Sequence, residues 1–308
     1  MGIEVKTGVA HTGVVDIIRG NRPGKGVALR ADMDALPVIE RNDLPYKSNV
    51  ISTFNGNETG VMHACGHDIH VSILMGVAEV LVQNRDFAGT VKLIFQPAEE
   101  GPPAGEEGGA KLMIKEGVLE NPKVDVIFGL YIRSGSHVGK ITYKRGGMLA
   151  ASQRFVINIK GKQAHGSTPW KSVDPIIVGA QIINGLQTLI SRESELTKEG
   201  AVITVGSIHS GIRYNIIPEN LEMVGTIRTL DKDMKELLRR RMNEMVPTIA
   251  KAYQAEATLE IQDGADVTFN HLALTKQMLP TLERVAGESN VNEINALTLA
   301  EDFSYFQN

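Results

Sequence analysis

Short apolar runs alternate with helix-like stripes in the first half of the chain. Residues 27–30, 91–95 and 124–128 are apolar runs of strand length. Between the first two runs, residues 70–84 repeat Val, Ile and Leu at helical spacing. After the second run, residues 110–116 form a short helical pattern that Gly117 can end. Strands that alternate with helices predict an α/β domain with a mostly parallel sheet.

A second pattern starts near residue 148. Strand-like segments at 154–159, 201–207, 221–229 and 257–261 are interleaved with helices that open at Asp174 and Asp231. The order β-α-β-β-α-β is that of a ferredoxin-like α+β domain. We expect Pro247 to interrupt and kink the second helix. The pattern therefore predicts a domain over 148–261 inserted into an α/β domain made of 1–147 and 262–308, with a further helix over 272–286.

Composition excludes some function classes. The chain has 308 residues and a net charge of -4, which is no footprint for nucleic acid. The basic segment at 235–241 has acids nearby and is interpreted as a solvated helix face. No apolar run is long enough to span a bilayer, so we expect no membrane partner. One cysteine makes no internal disulfide, which favours a cytoplasmic protein.

Residues 63–70 concentrate groups that bind metals. The segment HACGHDIH holds three of the eight histidines and the only cysteine. Imidazole and thiolate are good ligands for borderline-soft divalent ions. Cys65 stands close to the start of the predicted helix, where the helix dipole favours a thiolate. We interpret His63 and His70 as supporting or helix-start residues.

Carboxylates follow two of the predicted strands. Asp32 and Asp34 come after residues 27–30, and Glu99 and Glu100 come after residues 91–95. The carboxyl ends of parallel strands meet at the edge where ligands bind in α/β sheets. Adjacent glutamates point in different directions, so one can bind a metal while the other takes a proton from water.

Seven segments together resemble one enzyme family. In chain order they are ALRADMDALP, MHACGHDIH, IFQPAEEG, IKGKQAHG, YNIIPE, GTIRTLD and AEDFSYF. They are similar to the metallo-amidohydrolases of the aminoacylase, carboxypeptidase and auxin-conjugate hydrolase group, the metallopeptidase family that includes hippurate hydrolase. The resemblance covers essentially the whole chain. It implies hydrolysis of the amide bond of N-acyl amino acids or small peptides.

The resemblance also implies a role for each matching residue. Cys65, His67 and Glu100 would bind one or two divalent ions (Zn, Mn, Co or Ni), and Glu99 would be the general base. Asp34 would orient a metal ligand. The inserted domain would be a lid that forms a homodimer. From this lid His165 would polarise the scissile carbonyl, often in the partner subunit's site, while Asn215 and Arg228 would bind the substrate carboxylate.

Two departures from the family pattern leave an alternative open. Tyr131 stands where relatives usually carry a metal-binding histidine, and neutral phenol is a poor ligand because its pKa is about 10. His137 lies in a predicted turn and is not expected to replace it. The sequence also stops at Asn308, before a further metal-binding histidine of the family, and its start looks short. The alternative is a truncated or degenerate member that binds metal poorly and acts as a non-catalytic dimer or ligand-binding protein.

Overall fold

The computed structural model describes residues 2–103, 105–195 and 197–307 and divides into two compact units. Unit 1 comprises Met1–Val138 and Tyr305–Asn308, and unit 2 comprises Gly139–Ser304. Within the described ranges, no helix is both long and apolar enough to cross a membrane.

Unit 1 is built around a five-stranded sheet. The strands of unit 1 are β1 (Glu4–Val9), β2 (Gly13–Arg19), β3 (Arg22–Asp32), β4 (Ile51–Phe54), β5 (Asn57–Gly60), β6 (Ala88–Gln96) and β7 (Val126–Gly129). The helices of this unit are α1 (His67–Gln83) and α2 (Gly109–Lys115). The sheet order is β1-β2-β6-β3-β7, while β4 and β5 form a separate hairpin. The mixture of helices and sheets confirms an α/β fold.

The sheet of unit 1 is mixed, so the expectation of a mostly parallel sheet is wrong. Strand β3 is parallel to β6 and β7, but β2 is antiparallel to both β1 and β6. The cause is the hairpin of β1 and β2, which adds two strands to one side without a crossover helix. Ala10 and His11 form the turn of this hairpin with φ of 47° and 76°. Both are in the left-handed region although neither is a glycine, so the sequence does not indicate the turn.

Alternate residues of β6 face opposite sides of this sheet. Leu93 and Phe95 pack with Leu74 and Ala78 of α1 in one buried cluster. Lys92, on the other side, is 3% exposed. Its ammonium group donates hydrogen bonds to the carbonyl oxygens of Val118 at 2.7 Å, Glu120 at 2.7 Å and Pro122 at 2.9 Å. A buried cation thus binds the loop after α2 to the centre of the sheet.

Unit 2 contains a four-stranded antiparallel sheet covered by two helices. The strands of unit 2 are β8 (Ile141–Tyr143), β9 (Gly146–Leu149), β10 (Ala151–Lys160), β11 (Ala164–His165), β12 (Ala201–Ser210), β13 (Ile216–Ile217), β14 (Asn220–Thr229), β15 (Glu256–Asp263), β16 (Thr268–Asn270) and β17 (Val291–Glu293). The helices of this unit are α3 (Pro175–Thr188), α4 (Lys232–Ala252) and α5 (Leu272–Ala286). The sheet order is β12-β14-β10-β15. The elements β10-α3-β12-β14-α4-β15 follow the β-α-β-β-α-β order expected from the sequence.

Capping residues begin both helices where the sequence places them. The side chain of Asp174 accepts a hydrogen bond from the amide of Ile176 at 2.9 Å, and Asp231 accepts one from the amide of Met234 at 2.8 Å. Helix α4 continues through Pro247, so the predicted interruption is wrong. The helix persists because its buried stripe, which includes Leu238, packs in one continuous core with α3 and the sheet.

The limits of the two compact units differ from the domain boundaries predicted after residues 147 and 261. Segments on either side of the four-stranded sheet pair with each other, since β9 is antiparallel to β16 and β8 is parallel to β17. These pairings keep residues 139–147 and 262–304 in unit 2. A discontinuous catalytic domain with an inserted lid stays a prediction.

Candidate metal centre

The carboxyl ends of β3 and β6 leave the sheet of unit 1 side by side. The two strands are parallel, with Asp32 opposite Gln96, and the amide of Met33 donates to the carbonyl of Gln96 at 2.8 Å. After β6 the chain turns at Ala98, which has a left-handed φ of 54°. This turn brings the two adjacent glutamates back toward the segment that follows β3.

Three side chains of unit 1 form a potential metal site. One ligand atom each from Cys65, His67 and Glu100 lie within 4.8 Å of one another. Thiolate, imidazole and carboxylate are all ligands of zinc and related divalent ions, and three protein ligands with an open position are typical of catalytic zinc sites. The donors therefore fit the metal that the sequence motifs imply, and they are the three residues expected to hold it.

Asp34 orients His67. The imidazole Nδ1 lies 2.9 Å from the carbonyl oxygen of Asp34 and 3.2 Å from its carboxylate. Because Nδ1 donates its proton there, Nε2 keeps a lone pair for a metal. Burial lowers the pKa of His67, but the hydrogen bond with Asp34 and the nearby charge of Asp32 outweigh it, so the pKa lies above its ordinary value.

Asp34 also holds the segment that carries the glutamates. Its carboxylate accepts a hydrogen bond from the amide of Glu100 at 3.0 Å. Burial raises the pKa of Asp34, yet the hydrogen bonds from His67 and from the amides of Glu100 and Glu99 bring it below the ordinary value. Glu99 reaches the same place, with a carboxylate oxygen 3.7 Å from Nε2 of His67. The general base expected from the sequence thus lies beside a proposed ligand.

In the metal-free chain the surroundings of Cys65 oppose the thiolate that the nearby helix start favours. Burial, a hydrogen bond with Glu100 and the charges of Glu100 and Glu99 raise its pKa to about 12. Burial disfavours the charged form, and nearby carboxylates oppose a second negative charge. A divalent cation would reverse this balance, because a coordinated thiol is deprotonated.

Tyr131 lies beside the three donors. It makes a side-chain hydrogen bond with Cys65, and its ring centroid is 6.2 Å from that of His70. His137, which was not expected to act as a substitute ligand, is exposed.

Asp32 and His70, which the sequence analysis considered separately, belong to one buried hydrogen-bond network that the sequence did not predict. Asp32 is fully buried and accepts hydrogen bonds at 2.5 Å from Arg30 and at 2.5 Å from Nδ1 of His70. Nε2 of His70 accepts a hydrogen bond from the amide of Ile132 at 2.8 Å. Arg30 also donates to Gln96 at 2.8 Å. The sequence signal that could have indicated this network is the pair of charged residues Arg30 and Asp32 within an apolar strand.

Two of the proposed substrate-contacting residues lie together in unit 2. Strands β11 and β13 form a two-stranded ribbon in which His165 is opposite Ile216. The amide of Gly166 donates to the carbonyl of Asn215 at 2.8 Å. The side-chain oxygen of Asn215 is buried and has no hydrogen-bond partner among the described residues.

Arg228 lies on β14 of the four-stranded sheet. Its guanidinium donates to Thr226 Oγ1 at 2.5 Å and to the carbonyl of Ile227 at 3.3 Å. Burial lowers its pKa from the ordinary value. Within the described ranges Arg228 has no carboxylate within salt-bridge distance, which leaves its charge available to an anionic ligand.

A donor set of this kind on a mixed α/β fold points to a metal-dependent enzyme. The sequence profile of peptidase family M20/M25/M40 matches residues 28–308, and the chain belongs to that family. The protein is a metal-dependent amide hydrolase, as the sequence motifs implied.

Relatives of known name agree with this assignment. The chain is 42% identical to thermostable carboxypeptidase 2 of Saccharolobus solfataricus, with 99% of this chain and 74% of the relative covered. It is 35% identical to hippurate hydrolase of Campylobacter jejuni, with 99% and 76% covered. A crystal structure of a dinuclear metal-binding peptidase from Bacillus subtilis superposes with a TM-score of 0.81 at 33% identity, over 99% of this chain and 76% of that one. These matches do not favour the non-catalytic alternative.

Proposed function

We propose that this hydrolase cleaves the amide bond of N-acyl amino acids or small peptides. The observation that carries the proposal is the group Cys65, His67 and Glu100, whose ligand atoms lie within 4.8 Å of one another. Glu99 beside this group supplies a carboxylate. The names of the carboxypeptidase and of hippurate hydrolase support a substrate with an amide bond next to a carboxylate.

Cys65, His67 and Glu100 hold the metal in this proposal, with Asp34 orienting His67. A divalent ion bound there supplies a Lewis acid that polarises the carbonyl and makes water easier to deprotonate. Glu99 accepts the proton of the attacking water and gives it to the departing amine. Its carboxylate lies 3.7 Å from Nε2 of His67, which supports a role for Glu99 beside the three donors.

The β-α-β-β-α-β part of unit 2 acts as the lid in this proposal. His165 donates a hydrogen bond to the carbonyl oxygen as it gains negative charge, and Asn215 and Arg228 bind the substrate carboxylate. Support comes from the buried, unpartnered oxygen of Asn215 and from the absence of a carboxylate partner for Arg228 among the described residues. We further propose a homodimer formed through this lid, in the cytoplasm.

The metal is proposed to be zinc, manganese, cobalt or nickel. All four accept imidazole and carboxylate ligands, and a thiolate favours the softer ions. The donors of unit 1 suffice for one ion, and a second ion is proposed because the Bacillus subtilis peptidase is described as dinuclear.

The test is hydrolysis of an N-acetyl amino acid, hippurate and a dipeptide by the full chain with added manganese, cobalt or zinc. Glu99→Gln should reduce turnover by about 100-fold or more, because general-base catalysis contributes about 10²–10⁴-fold. Metal content measured by elemental analysis should stay the same in that variant. Glu106→Gln, at an exposed position of the same loop, is the matched control. Turnover by Glu99→Gln equal to that of the control would refute the role of Glu99.

A further inference from the structure

A tight turn follows His165 and is fixed on both sides. Strand β11 ends at His165. The amide of Gly166 donates to the carbonyl of Asn215 at 2.8 Å, across the ribbon. The carbonyl of His165 accepts hydrogen bonds from the amide of Thr168 at 2.9 Å and from its hydroxyl at 3.2 Å. The backbone between these anchors, at Ser167, therefore has a defined direction.

Ser167 directs its polar groups at the imidazole of His165. Its amide nitrogen lies 3.1 Å from Nδ1, and its hydroxyl oxygen lies 2.7 Å from the same atom. A backbone amide can only donate, so Nδ1 must accept. A neutral imidazole that accepts at Nδ1 carries its proton on Nε2. No partner of Nε2 is found in the part of the chain that the structure describes, so this N–H is available to a ligand.

We propose that Ser167 is a positioning residue that holds His165 in the Nε2–H form, so that its free nitrogen is a hydrogen-bond donor. The inference rests on the proposed function, in which His165 faces the scissile carbonyl. The opposite tautomer would present a lone pair to an oxygen that gains negative charge, and the interaction would become repulsive.

The first arm of the test measures the tautomer directly. Nitrogen-15 NMR of histidine-labelled full chain, at about pH 8.5 where imidazole is neutral, distinguishes the two forms. His165→Gln assigns the signals. The wild type should show His165 as the Nε2–H form, and Ser167→Ala should keep it because the amide remains. Ser167→Asp places a charged acceptor where the hydroxyl oxygen lies 2.7 Å from Nδ1, closer than the amide at 3.1 Å, and should shift the ring toward Nδ1–H because a charge-assisted hydrogen bond outcompetes the neutral amide.

The second arm measures turnover of an N-acetyl amino acid. Ser167→Asp should lower kcat by about 100-fold, the loss typical of removing one oxyanion donor, while KM changes by less than about twofold. Ser172→Ala and Ser172→Asp are matched controls, because the Ser172 hydroxyl bonds to the carbonyl of Pro169 and not to His165. Both controls should keep wild-type kcat and the wild-type tautomer.

Two results would overturn the proposal in different ways. A wild-type His165 in the Nδ1–H form, or one that Ser167→Asp leaves unchanged, refutes the positioning by Ser167. If the tautomer reverses in Ser167→Asp and kcat is unchanged, His165 is not the hydrogen-bond donor of the proposed function. The positioning by Ser167 would then have no effect on catalysis.

Discussion

Replacing Lys92 by Met tests whether the buried ammonium group stabilises unit 1. Its Nζ donates to three loop carbonyls at 2.7–2.9 Å, and the residue is 3% exposed. Hydrogen bonds of a charged group contribute about 1.5–3 kcal/mol each, so three at the low end give about 4.5 kcal/mol. Methionine fills similar volume and removes a charge that was costly to bury, which offsets part of that loss. We therefore expect a net loss of about 3–4 kcal/mol.

The assay is urea unfolding of the metal-free chain, followed by fluorescence and circular dichroism. Lys111→Met is the matched control, because Lys111 is exposed on α2, and it should change the free energy of unfolding by less than about 0.5 kcal/mol. The two variants differ only in whether the ammonium group was buried among carbonyls. A Lys92→Met variant within 1 kcal/mol of the control would refute the reasoning.

Two further predictions concern Asp32 and the metal donors. Burial raises the pKa of Asp32, but the hydrogen bond with His70 and the charge of Arg30 outweigh it and hold the pKa below its ordinary value. The stability from this ionised carboxylate is therefore present above about pH 4 and is lost as pH falls through the lower, folded-state pKa. Asp32→Asn should cost about 3–5 kcal/mol at pH 7, because it removes the buried carboxylate that accepts hydrogen bonds from Arg30 and His70, and should flatten the acid limb of stability against pH in chemical unfolding; an unchanged acid limb would contradict this. Adding manganese or zinc at about 100 times its dissociation constant should stabilise the wild type by about 2.7 kcal/mol, visible as a higher Tm, and His67→Ala should abolish that shift; an equal shift in both would place the ion elsewhere.

The sequence predicted the elements whose signals are local. Asp174 before a proline predicts the start of α3, and the structure shows Asp174 as its cap. The apolar period of α1 and the β-α-β-β-α-β order of elements in unit 2 were also predicted from the sequence. Cys65, His67 and Glu100 converge because parallel strand ends share one edge of the sheet, a rule that needs only the order of the elements.

Features that depend on contacts between distant residues could not be predicted. The antiparallel pairing of β2 with β6 joins segments about 80 residues apart, and the left-handed turn at Ala10 and His11 has no glycine. The pKa of Cys65 in the metal-free chain is raised by burial and by carboxylates that are distant in sequence, and neither can be inferred from the nearby helix start. His70 was interpreted as a supporting residue, but its bonds to Asp32 and the amide of Ile132 arise only in the folded chain.

Replacing Ala98 by glycine should change catalytic turnover more than it changes the free energy of unfolding. Glycine at this left-handed position would relieve about 1 kcal/mol of backbone cost in the folded chain. It would also enlarge the unfolded ensemble, which costs about 0.4–1 kcal/mol, so the two effects nearly cancel. The turn that carries Glu99 and Glu100 would nevertheless gain freedom. Selection for thermal stability would therefore scarcely distinguish alanine from glycine here, whereas selection for turnover would favour the stiffer residue.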